Sequence, residues 1–463
     1  MTEAAQKVLS EVLEKITPTE AQRNEKRKIT NMVLEAARKV LPPHVGVTLA
    51  GSYTRDTWLL DKREFDLFML FPESTSRRDL ETEGIEIGRK IVRAAGGTHE
   101  IAYAEHPYVR AKIKGFDVDI VPCYKVGSAA KIKSAVDRTP FHNTYVSEHL
   151  NPKLSGEVRL LKTFAKAQGF YGSDNKTLAL SGYLCELMII KYGSFMHFCD
   201  AASRWEPGMI EIDIKHHRPA GLKFDRHPLV VIDPVDPKRN VGAVVSPANF
   251  TLIVKSCREF LGSPSALFFE KRKPSASGAK ISAAFRERAT NPVVIVFSRP
   301  AYVDDIIWPQ MRKTARRLVD ILKEYEFGII GHDVWADEKE CAILIECAEF
   351  CLPNVRIIHG PPVFAIRNRD QFITKYRKAG RLWVEDNIWS AEVRRKFTRP
   401  EHKIKDTLSD PLEELKEKGI ASHMAEAAAK GFKLMAGNDV YAFASKSVEF
   451  SVFLRKYLEK THI

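Results

Sequence analysis

The sequence is poor in cysteine and contains no CxxC pair among its 463 residues. Its seven cysteines are odd in number and scattered, which argues against a disulfide framework and is typical of a reducing compartment. Cys341, Cys347 and Cys351 lie close together, but their spacing does not match that of a zinc ribbon. The pattern therefore favours core or surface thiols over a disulfide or a zinc site.

Long apolar runs are missing as well. No run approaches the ~20 residues that a membrane-spanning helix needs. Residues 1–16 have the pattern of an amphipathic helix and lack the apolar segment of a signal peptide. We therefore expect a soluble protein of the cytoplasm with no membrane partner.

The chain is longer than one hydrophobic core usually serves, since single cores stop growing near ~250–300 residues. We predict an α+β multidomain protein with a first domain of strands and helices at 1–150, a helical central domain at 151–270 and an α+β region at 281–463. The stretch 271–280, which is basic and then rich in small residues, is the predicted linker.

The charge balance is strongly positive, with a net charge of +13. A surplus of this size favours a polyanionic partner such as nucleic acid, because neutralising phosphates releases counterions. The alternative is a basic surface that only keeps the protein in solution.

Acidic residues follow a distinctive pattern in the predicted strand 64–71. Glu64 and Asp66 are two residues apart, so their carboxylates share one side of the strand. The opposite, apolar side is formed by Phe65, Leu67, Met69 and Phe71. Two neighbouring acids on a partly apolar strand are costly unless a cation lies between them, and Mg²⁺ prefers oxygen ligands.

A third acid ligand is available in the predicted strand 116–121, which supplies Asp119. Asp117 lies on the same face of that strand and is the competing candidate. Three acids of this kind predict a site for metal-assisted phosphoryl transfer, in which two ions are often used. The alternative is an exposed polar face at a sheet edge.

A Gly51-Ser52 turn precedes the acids by eleven residues. Glycine allows the backbone to approach a phosphate closely, and the Ser52 hydroxyl and neighbouring N–H groups can hold triphosphate oxygens. Arg55 is close enough in the chain to reach the same anion. This layout of turn and acids is that of the polymerase beta nucleotidyltransferase superfamily.

Longer motifs resemble a narrower family, the archaeal (class I) CCA-adding enzymes, which are CCA tRNA nucleotidyltransferases of that superfamily. The catalytic block is matched by GSYTRDTWL at 51–59, EFDLF at 64–68 and YAEHPYVRAKIKGFDVDIVPCY at 103–124. The likeness continues through SAVDRTPFH (134–142), EVRLLKTFAKAQGFYG (157–172), SGYLCELMIIKYGSF (181–195), DPVDPKRNV (233–241), VDDIIWPQ (303–310) and RKFT (395–398). The resemblance implies a polymerase-beta-like nucleotidyltransferase head with a mixed sheet, followed by the helical central domain.

The resemblance also implies roles for individual residues. It makes Glu64, Asp66 and Asp119 the metal ligands and catalytic residues, with Mg²⁺ as the cofactor. The residues that it assigns to nucleotide binding are Ser52, Arg55, His142, Lys162, Tyr171 and Arg239. Arg239 is the candidate for a base contact. From the residues alone, Lys162 lies with Arg159 and Lys166 on one face of a helix, and a solvated basic face is the simpler interpretation.

The C-terminal region carries a basic stretch at 361–400 with interleaved aromatic residues, a composition that suits RNA. The candidate RNA-binding residues are Arg367, Arg369, Arg394, Arg395 and Lys396. The alternative is a pair of basic helices whose aromatic residues belong to the core, and for the aromatic residues we favour it. Without a sequence-reading motif, we expect recognition of the shape of the tRNA acceptor and TΨC stem.

The implied activity is addition of CCA to the 3′ end of tRNA without a template. The tRNA 3′-hydroxyl would attack the α-phosphate of CTP or ATP, and pyrophosphate would leave. Two alternatives stand beside it: a poly(A) polymerase or oligoadenylate synthetase-like enzyme, and a non-catalytic RNA-binding protein with the same fold. A homodimer is a further possibility that the sequence leaves open.

Overall fold

A five-stranded mixed sheet carries the acidic residues in this computed structural model, which describes residues 3–103, 105–217, 224, 227–271, 278–378 and 380–459. Its strands are β1 (Gly46–Ala50), β2 (Glu64–Phe71), β3 (Thr98–Tyr103), β4 (Pro107–Ile113) and β5 (Phe116–Tyr124). Their order is β1-β2-β5-β4-β3, and only the β2–β5 pair is parallel. The predicted mixed-sheet head is therefore confirmed.

Helices α2 (Glu20–Val40) and α3 (Arg77–Ala94) pack with this sheet, whereas Val12 of the preceding helix α1 (Glu3–Ile16) belongs to the core of the helical bundle described next. A capping box starts α2. The backbone N–H of Gln22 donates to Thr19 Oγ1, and the backbone N–H of Thr19 donates to Gln22 Oε1. α3 packs closely on the sheet, because a Cβ at Gly88 would lie 2.7 Å from Val109 Cγ2. The apolar residues predicted for one face of β2 are all buried: Phe65, Leu67, Met69 and Phe71.

A helical bundle follows, made of α4 (Arg138–His149), α5 (Pro152–Gln168), α6 (Gly182–Tyr192), α7 (Phe195–Ala202) and α8 (Pro247–Gly262). Two short parallel strands, β6 (Glu211–Asp213) and β7 (Val230–Ile232), lie between α7 and α8 in the chain. Its core is rich in aromatic contacts, such as Phe164 with Phe195 at 5.2 Å between ring centroids. Sheet and bundle belong to one compact unit, which takes in the described residues up to Lys271.

The second compact unit begins at Gly278 among the described residues. Its larger sheet has the order β14-β8-β10-β9 and is antiparallel throughout. The strands are β8 (Asn291–Ser298), β9 (Ile329–Ala336), β10 (Glu340–Cys347) and β14 (Phe432–Ala436). A smaller antiparallel sheet, of order β11-β13-β12, consists of β11 (Val355–Pro362), β12 (Leu382–Glu385) and β13 (Ile388–Arg394).

The helices of the second unit are α9 (Gly278–Glu287), α10 (Asp304–Glu324), α11 (Ile366–Tyr376), α12 (Pro400–Leu408), α13 (Leu412–Glu417), α14 (Ser422–Lys430), α15 (Asn438–Ala444) and α16 (Val448–Glu459). The predicted α+β character of this region is therefore confirmed. Most of the predicted linker, 272–277, lies outside the described residues, and the division into three domains stays a prediction. None of the helices in the described parts of the chain is both long and apolar enough to cross a bilayer.

One carboxylate, Glu346 on β10, is fully buried in the second unit. Its oxygens accept bonds from Arg288 Nε at 2.8 Å and Nη2 at 3.0 Å, from Thr290 Oγ1 at 2.5 Å and from Tyr457 Oη at 2.6 Å. Burial alone would raise the pKa of Glu346, but these donors, Arg288 first, hold it below its usual value. The network ties β10 to two other segments of this unit, the connection between α9 and β8 and the helix α16.

We expect Glu346→Gln to lower the free energy of unfolding by about 1–3 kcal/mol, because in either orientation the amide NH2 faces an N–H of Arg288, which can only donate. Denaturation by urea, followed through the fluorescence of the six tryptophans, measures this change. Glu338→Gln, at an exposed position, is the control. An equal stability of the two variants would show that the network contributes nothing.

Candidate active site

The parallel pairing of β2 with β5 brings the acids together. In this register Asp66 lies opposite Asp119, and Glu64 lies opposite Asp117. Cross-strand partners share a face of the sheet. All four acids accordingly line one cavity of about 440 Å³, together with Phe65 and Arg110. The structure thus brings the three predicted ligands to one place and puts Asp117 beside them.

The ionised form of Asp66 is disfavoured at this position. Burial and the neighbouring carboxylates of Asp119 and Glu64 raise the pKa of Asp66 to about 7. Opposed carboxylates of this kind carry an uncompensated cost that a divalent cation removes. The donor set, all carboxylate oxygens, fits a hard divalent ion.

Two basic side chains form ion pairs with Asp119 and Glu64. Arg110 Nε donates to Asp119 Oδ1 at 3.0 Å, and Lys62 Nζ lies 3.1 Å from Glu64 Oε1. Over the ranges that the structure describes, no group of three His, Cys, Asp or Glu side chains has metal-binding geometry.

Sequence reasoning missed Arg110, although a signal for it was present. β4 and β5 form a hairpin with a tight turn at 114–115, and counting outward from that turn pairs Arg110 with Asp119. A base directly opposite an acid on an antiparallel pair is an expected ion pair. The predicted hairpin already contained this contact.

Lys26 on α2 is a second residue that sequence reasoning missed. It is buried, and its ammonium lies 4.2 Å from the centroid of the Trp58 ring. Burial lowers the pKa of Lys26 to about 8, against the opposing effect of Glu64 and Asp66. The helix thereby adds one cation to the surroundings of the acid cluster, and a lysine within the basic run 26–28 of an amphipathic helix gives no sequence signal of this.

Gly51 directly follows β1 and has a φ of +88°. A Cβ at this position would overlap Asp66 Oδ2. Glycine is thus required for two reasons, the left-handed backbone and the close approach to the acid. Ser52 lies in the turn that Gly51 opens and is half-buried.

Arg55 and Lys162 both form ion pairs with Glu186, a residue that the sequence pattern did not single out. Arg55 Nη2 lies 3.0 Å from Glu186 Oε2, and Lys162 Nζ lies 3.3 Å from Glu186 Oε1. Tyr171 lies near Lys162, since both side chains flank Gly182. A Cβ placed on Gly182 would be 3.3 Å from the Tyr171 hydroxyl and 3.6 Å from Lys162 Nζ. The three predicted residues thus cluster around one buried carboxylate.

The basic face predicted on α5 is not solvated. Arg159 and Lys162 are buried, and Arg159 Nη1 lies 3.3 Å from Asp56 Oδ2. Lys166 is ion-paired with Asp61. The simpler interpretation of this face was therefore wrong, because the loop after Gly51 folds over it and supplies acids to it.

His142 and Arg239 meet on a second buried carboxylate, Asp233. Both His142 Nε2 and Arg239 Nη1 lie 2.8 Å from Asp233 Oδ2, and the Tyr183 hydroxyl donates to Oδ1 at 3.1 Å. His142 also stacks on Tyr183, with 4.0 Å between ring centroids. Burial works to raise the pKa of Asp233, but its hydrogen bonds to His142 and Arg239 hold it at about 2.

The candidate RNA-binding residues of the second unit differ in availability. Arg367 and Arg394 are exposed. Arg369 is paired with Asp370 at 2.8 Å, and Lys396, although exposed, lies 3.4 Å from Asp406. Arg395 is the least available, because its side chain is mostly buried and lies 2.6 Å from Glu326. Their aromatic neighbours are half-buried: Tyr376, Trp383, Trp389 and Phe397.

Three family models match the chain in order. Residues 31–142 match a nucleotidyltransferase domain, 156–270 the second domain of tRNA nucleotidyltransferase, and 288–437 the C-terminal domain of CCA-adding enzyme.

Curated relatives match over nearly the whole chain. A CCA-adding enzyme of Methanosarcina mazei is 38% identical over 455 residues, which cover 96% of this chain and 97% of that one. A CCA-adding enzyme of Archaeoglobus fulgidus is 36% identical over 437 residues, 94% of this chain and 96% of that one. Solved structures of the Cid1 poly(U) polymerase include one at 17% identity and a TM-score of 0.46, covering 57% of this chain and 98% of that one, too weak a likeness to bear on activity.

We expect Gly51→Ala to weaken ATP binding about tenfold or more, because the added Cβ displaces Asp66 or the turn that holds Ser52. Isothermal titration with ATP measures the change. Gly127→Ala is the matched control, since a Cβ at Gly127 meets nothing within 4 Å. Equal ATP affinity in both variants would contradict the close packing of Gly51 on the acid site.

Proposed function

The chain belongs to the family of CCA-adding enzymes, and on that premise we propose that the acid cluster of Glu64, Asp66 and Asp119 is its catalytic centre. The enzyme adds C, C and A to the 3′ end of tRNA from CTP and ATP without a template. In this reaction the 3′-hydroxyl attacks the α-phosphate and pyrophosphate leaves. The observation that carries the proposal is the parallel register that sets Asp66 opposite Asp119 in a cavity lined by acids.

Nucleotidyltransferases of this family depend on a divalent metal, and we propose that Mg²⁺ is bound here as a pair of ions. The raised pKa of Asp66 supports a cation at this place, because it reflects carboxylates facing one another. Glu64, Asp66 and Asp119 would hold the metal, which lowers the pKa of the attacking hydroxyl and offsets the charge of the leaving pyrophosphate.

The chain's own residues bind and orient the nucleotide. Gly51 lets the backbone come close to the triphosphate, and the Ser52 hydroxyl donates to it. Arg55 and Lys162 supply positive charge where the pyrophosphate leaves, and Tyr171 closes the same side of the site. Positioning and fixed charge of this kind supply most of the rate in phosphoryl transfer.

Arg110 and Lys62 are the counter-ions of two acids in the cluster. Each holds one acid that the metal needs. Both side chains are half-exposed, so that water can take over their hydrogen bonds when they turn away. We propose that loading the site with metal and nucleotide exchanges these two ion pairs.

His142 and Arg239 form the other side of the nucleotide site in this proposal. Asp233 holds one nitrogen of each, and the Arg239 side chain is 37% exposed. Its other N–H groups are thereby available for the base of CTP or ATP. A planar guanidinium suits such a contact, because its donors have a fixed geometry.

The enzyme acts on tRNA, and we propose that it holds the acceptor and TΨC stem through the basic second unit. The exposed Arg367 and Arg394 are the best-placed candidates, followed by Arg369 and Lys396. A homodimer and a cytoplasmic location stay predictions. Neither a poly(A) polymerase or oligoadenylate synthetase-like enzyme nor a non-catalytic protein is favoured, because the curated relatives are CCA-adding enzymes over nearly their whole length.

We expect Asp66→Asn to reduce incorporation of CMP and AMP by about 10³-fold or more, since a metal ligand is lost. The variant should fold at least as well as the parent at pH 8, because Asn removes the repulsion that raises the pKa of Asp66. End-sequencing of tRNA incubated with CTP, with ATP and with both measures incorporation, and tRNA affinity serves as the control. Undiminished addition by the folded variant would overturn the assignment of Asp66.

Asp117 is the open alternative to Asp119, and the two single variants decide between them. We expect Asp119→Asn to abolish addition and Asp117→Asn to retain it within about tenfold, because Asp119 is the acid opposite Asp66. The reverse order of activities would move the third ligand to Asp117.

We expect Arg239→Ala to change the ratio of CTP to ATP incorporation at one or more of the three addition steps, because a base contact is lost while the acid cluster is intact. Three tRNA substrates, which lack CCA, CA and the terminal A, isolate the three addition steps. Incorporation of CMP and AMP on each of them measures the ratio. Preferences identical to the parent's at each step would rule out a base contact by Arg239.

A further inference from the structure

Glu186 on α6 is a fully buried carboxylate in an otherwise apolar stretch of helix. It meets groups from two other segments of the chain. The Thr57 hydroxyl donates to Glu186 Oε1 at 2.5 Å, and Lys162 Nζ lies 3.3 Å from the same oxygen. Arg55 Nη2 lies 3.0 Å from Oε2. One buried anion thus joins the loop after β1 to α5.

The carboxylate remains charged in this environment. Burial works to raise the pKa of Glu186, but Lys162 and Arg55 outweigh it and hold the pKa below the usual value. A buried charge is retained when it is paired and hydrogen-bonded in this way. Two cations against one anion leave a positive balance beside the turn at Ser52.

The same contacts fix both cations. The Lys162 ammonium has three N–H groups, and three acceptors surround it: Thr57 O at 3.1 Å, Thr57 Oγ1 at 3.0 Å and Glu186 Oε1. Arg55 is held at both terminal nitrogens, by Glu186 and by Asn143 Oδ1 at 2.7 Å. Free lysine and arginine side chains lose considerable entropy when a ligand orders them, and here that ordering is already complete.

The remaining donor of Arg55 points to a ligand. Its side chain is only 8% exposed, and its Nε is buried without an acceptor in the part of the chain that the structure describes. A buried donor without an acceptor is costly. An oxygen of an anionic ligand that enters beside Ser52 would satisfy it.

We propose that Glu186 is a positioning residue for nucleotide binding, which holds Arg55 and Lys162 in place for the triphosphate before the nucleotide arrives. This inference rests on the proposed function, in which those two cations face the triphosphate. It assigns Glu186 no contact with the substrate. Its effect therefore falls on the affinity for both nucleotides alike.

Glu186→Gln tests the proposal, because the variant keeps the shape and removes the charge. The amide keeps one acceptor oxygen and turns its NH2 toward either Arg55 or Lys162, so that one of the two cations loses its partner. We expect the dissociation constants of CTP and ATP to rise together, by about tenfold or more, while tRNA affinity stays at the parent's value. In steady-state assays KM for both nucleotides should rise by a larger factor than kcat falls.

Glu346→Gln is the matched control for the loss of a buried charge. Glu346 is equally buried and also accepts bonds from an arginine and from a threonine hydroxyl at 2.5 Å. The Glu346→Gln variant should be less stable than the parent and bind CTP and ATP with the parent's affinity. Nucleotide affinity at the parent's value in both variants would make Glu186 a merely structural residue and overturn the proposal.

A second pair of variants covers the case in which Glu186→Gln does not fold. Thr57→Val removes the hydroxyl that bridges Glu186 and Lys162, whereas Thr57→Ser retains a hydroxyl at the same place. We expect weaker CTP and ATP binding in the valine variant and recovery in the serine variant. Equal affinities in the two would contradict the proposal.

These binding measurements need no turnover, so they test the role of Glu186 separately from the proposed function. Unchanged affinities in an enzyme that still completes tRNA ends would refute the role of Glu186 alone. Failure to complete tRNA ends in the parent protein would refute the proposed function.

Discussion

The parallel pairing of β2 with β5 is the constraint on which the site depends. It sets Asp66 opposite Asp119, with Glu64 and Asp117 one step along the same face. Packing α3 against the other face closes the core and prevents the strands from turning their acids inward. The resulting repulsion is expressed in the raised pKa of Asp66, and a divalent cation is the simplest way to relieve it. The fold thus maintains a cluster of carboxylates around Asp66 that a divalent cation would stabilise.

The candidate nucleotide-binding side chains around the bundle follow the opposite principle, because each of these basic groups already has an acidic partner. Glu186 holds Arg55 and Lys162, and Asp233 holds His142 and Arg239. In the proposed function, a metal-bound nucleotide would have the acids of the sheet on one side and the oriented cations of the bundle on the other. On the bundle side this arrangement needs little reorganisation when the substrate binds, which is the physical requirement for electrostatic catalysis.

The sequence was sufficient for the features that follow from local pattern. Alternation along 64–71 predicted the buried face of β2, and the hairpin turn at 114–115 contained the pairing of Arg110 with Asp119. The sequence was insufficient for side chains whose role depends on contacts with distant segments of the chain. Glu186 is one acid in an apolar helix, and nothing local shows that Thr57, Arg55 and Lys162 will converge on it. The basic face of α5 was misjudged for the same reason, since the acids that cover it come from the loop after Gly51. In the second unit, ion pairing of Arg395 with Glu326, far away in the chain, could not be foreseen from a count of basic residues.

The central claim is that Glu64, Asp66 and Asp119 share a divalent metal in the cavity between β2 and β5. The most direct measurement is anomalous X-ray scattering from crystals grown with Mn²⁺ in place of Mg²⁺. The account predicts a manganese peak roughly 2.0–2.3 Å from carboxylate oxygens of all three acids, with Arg110 turned away from Asp119. A peak on Asp117 in place of Asp119, or a cavity without manganese while Arg110 stays on Asp119, would contradict it.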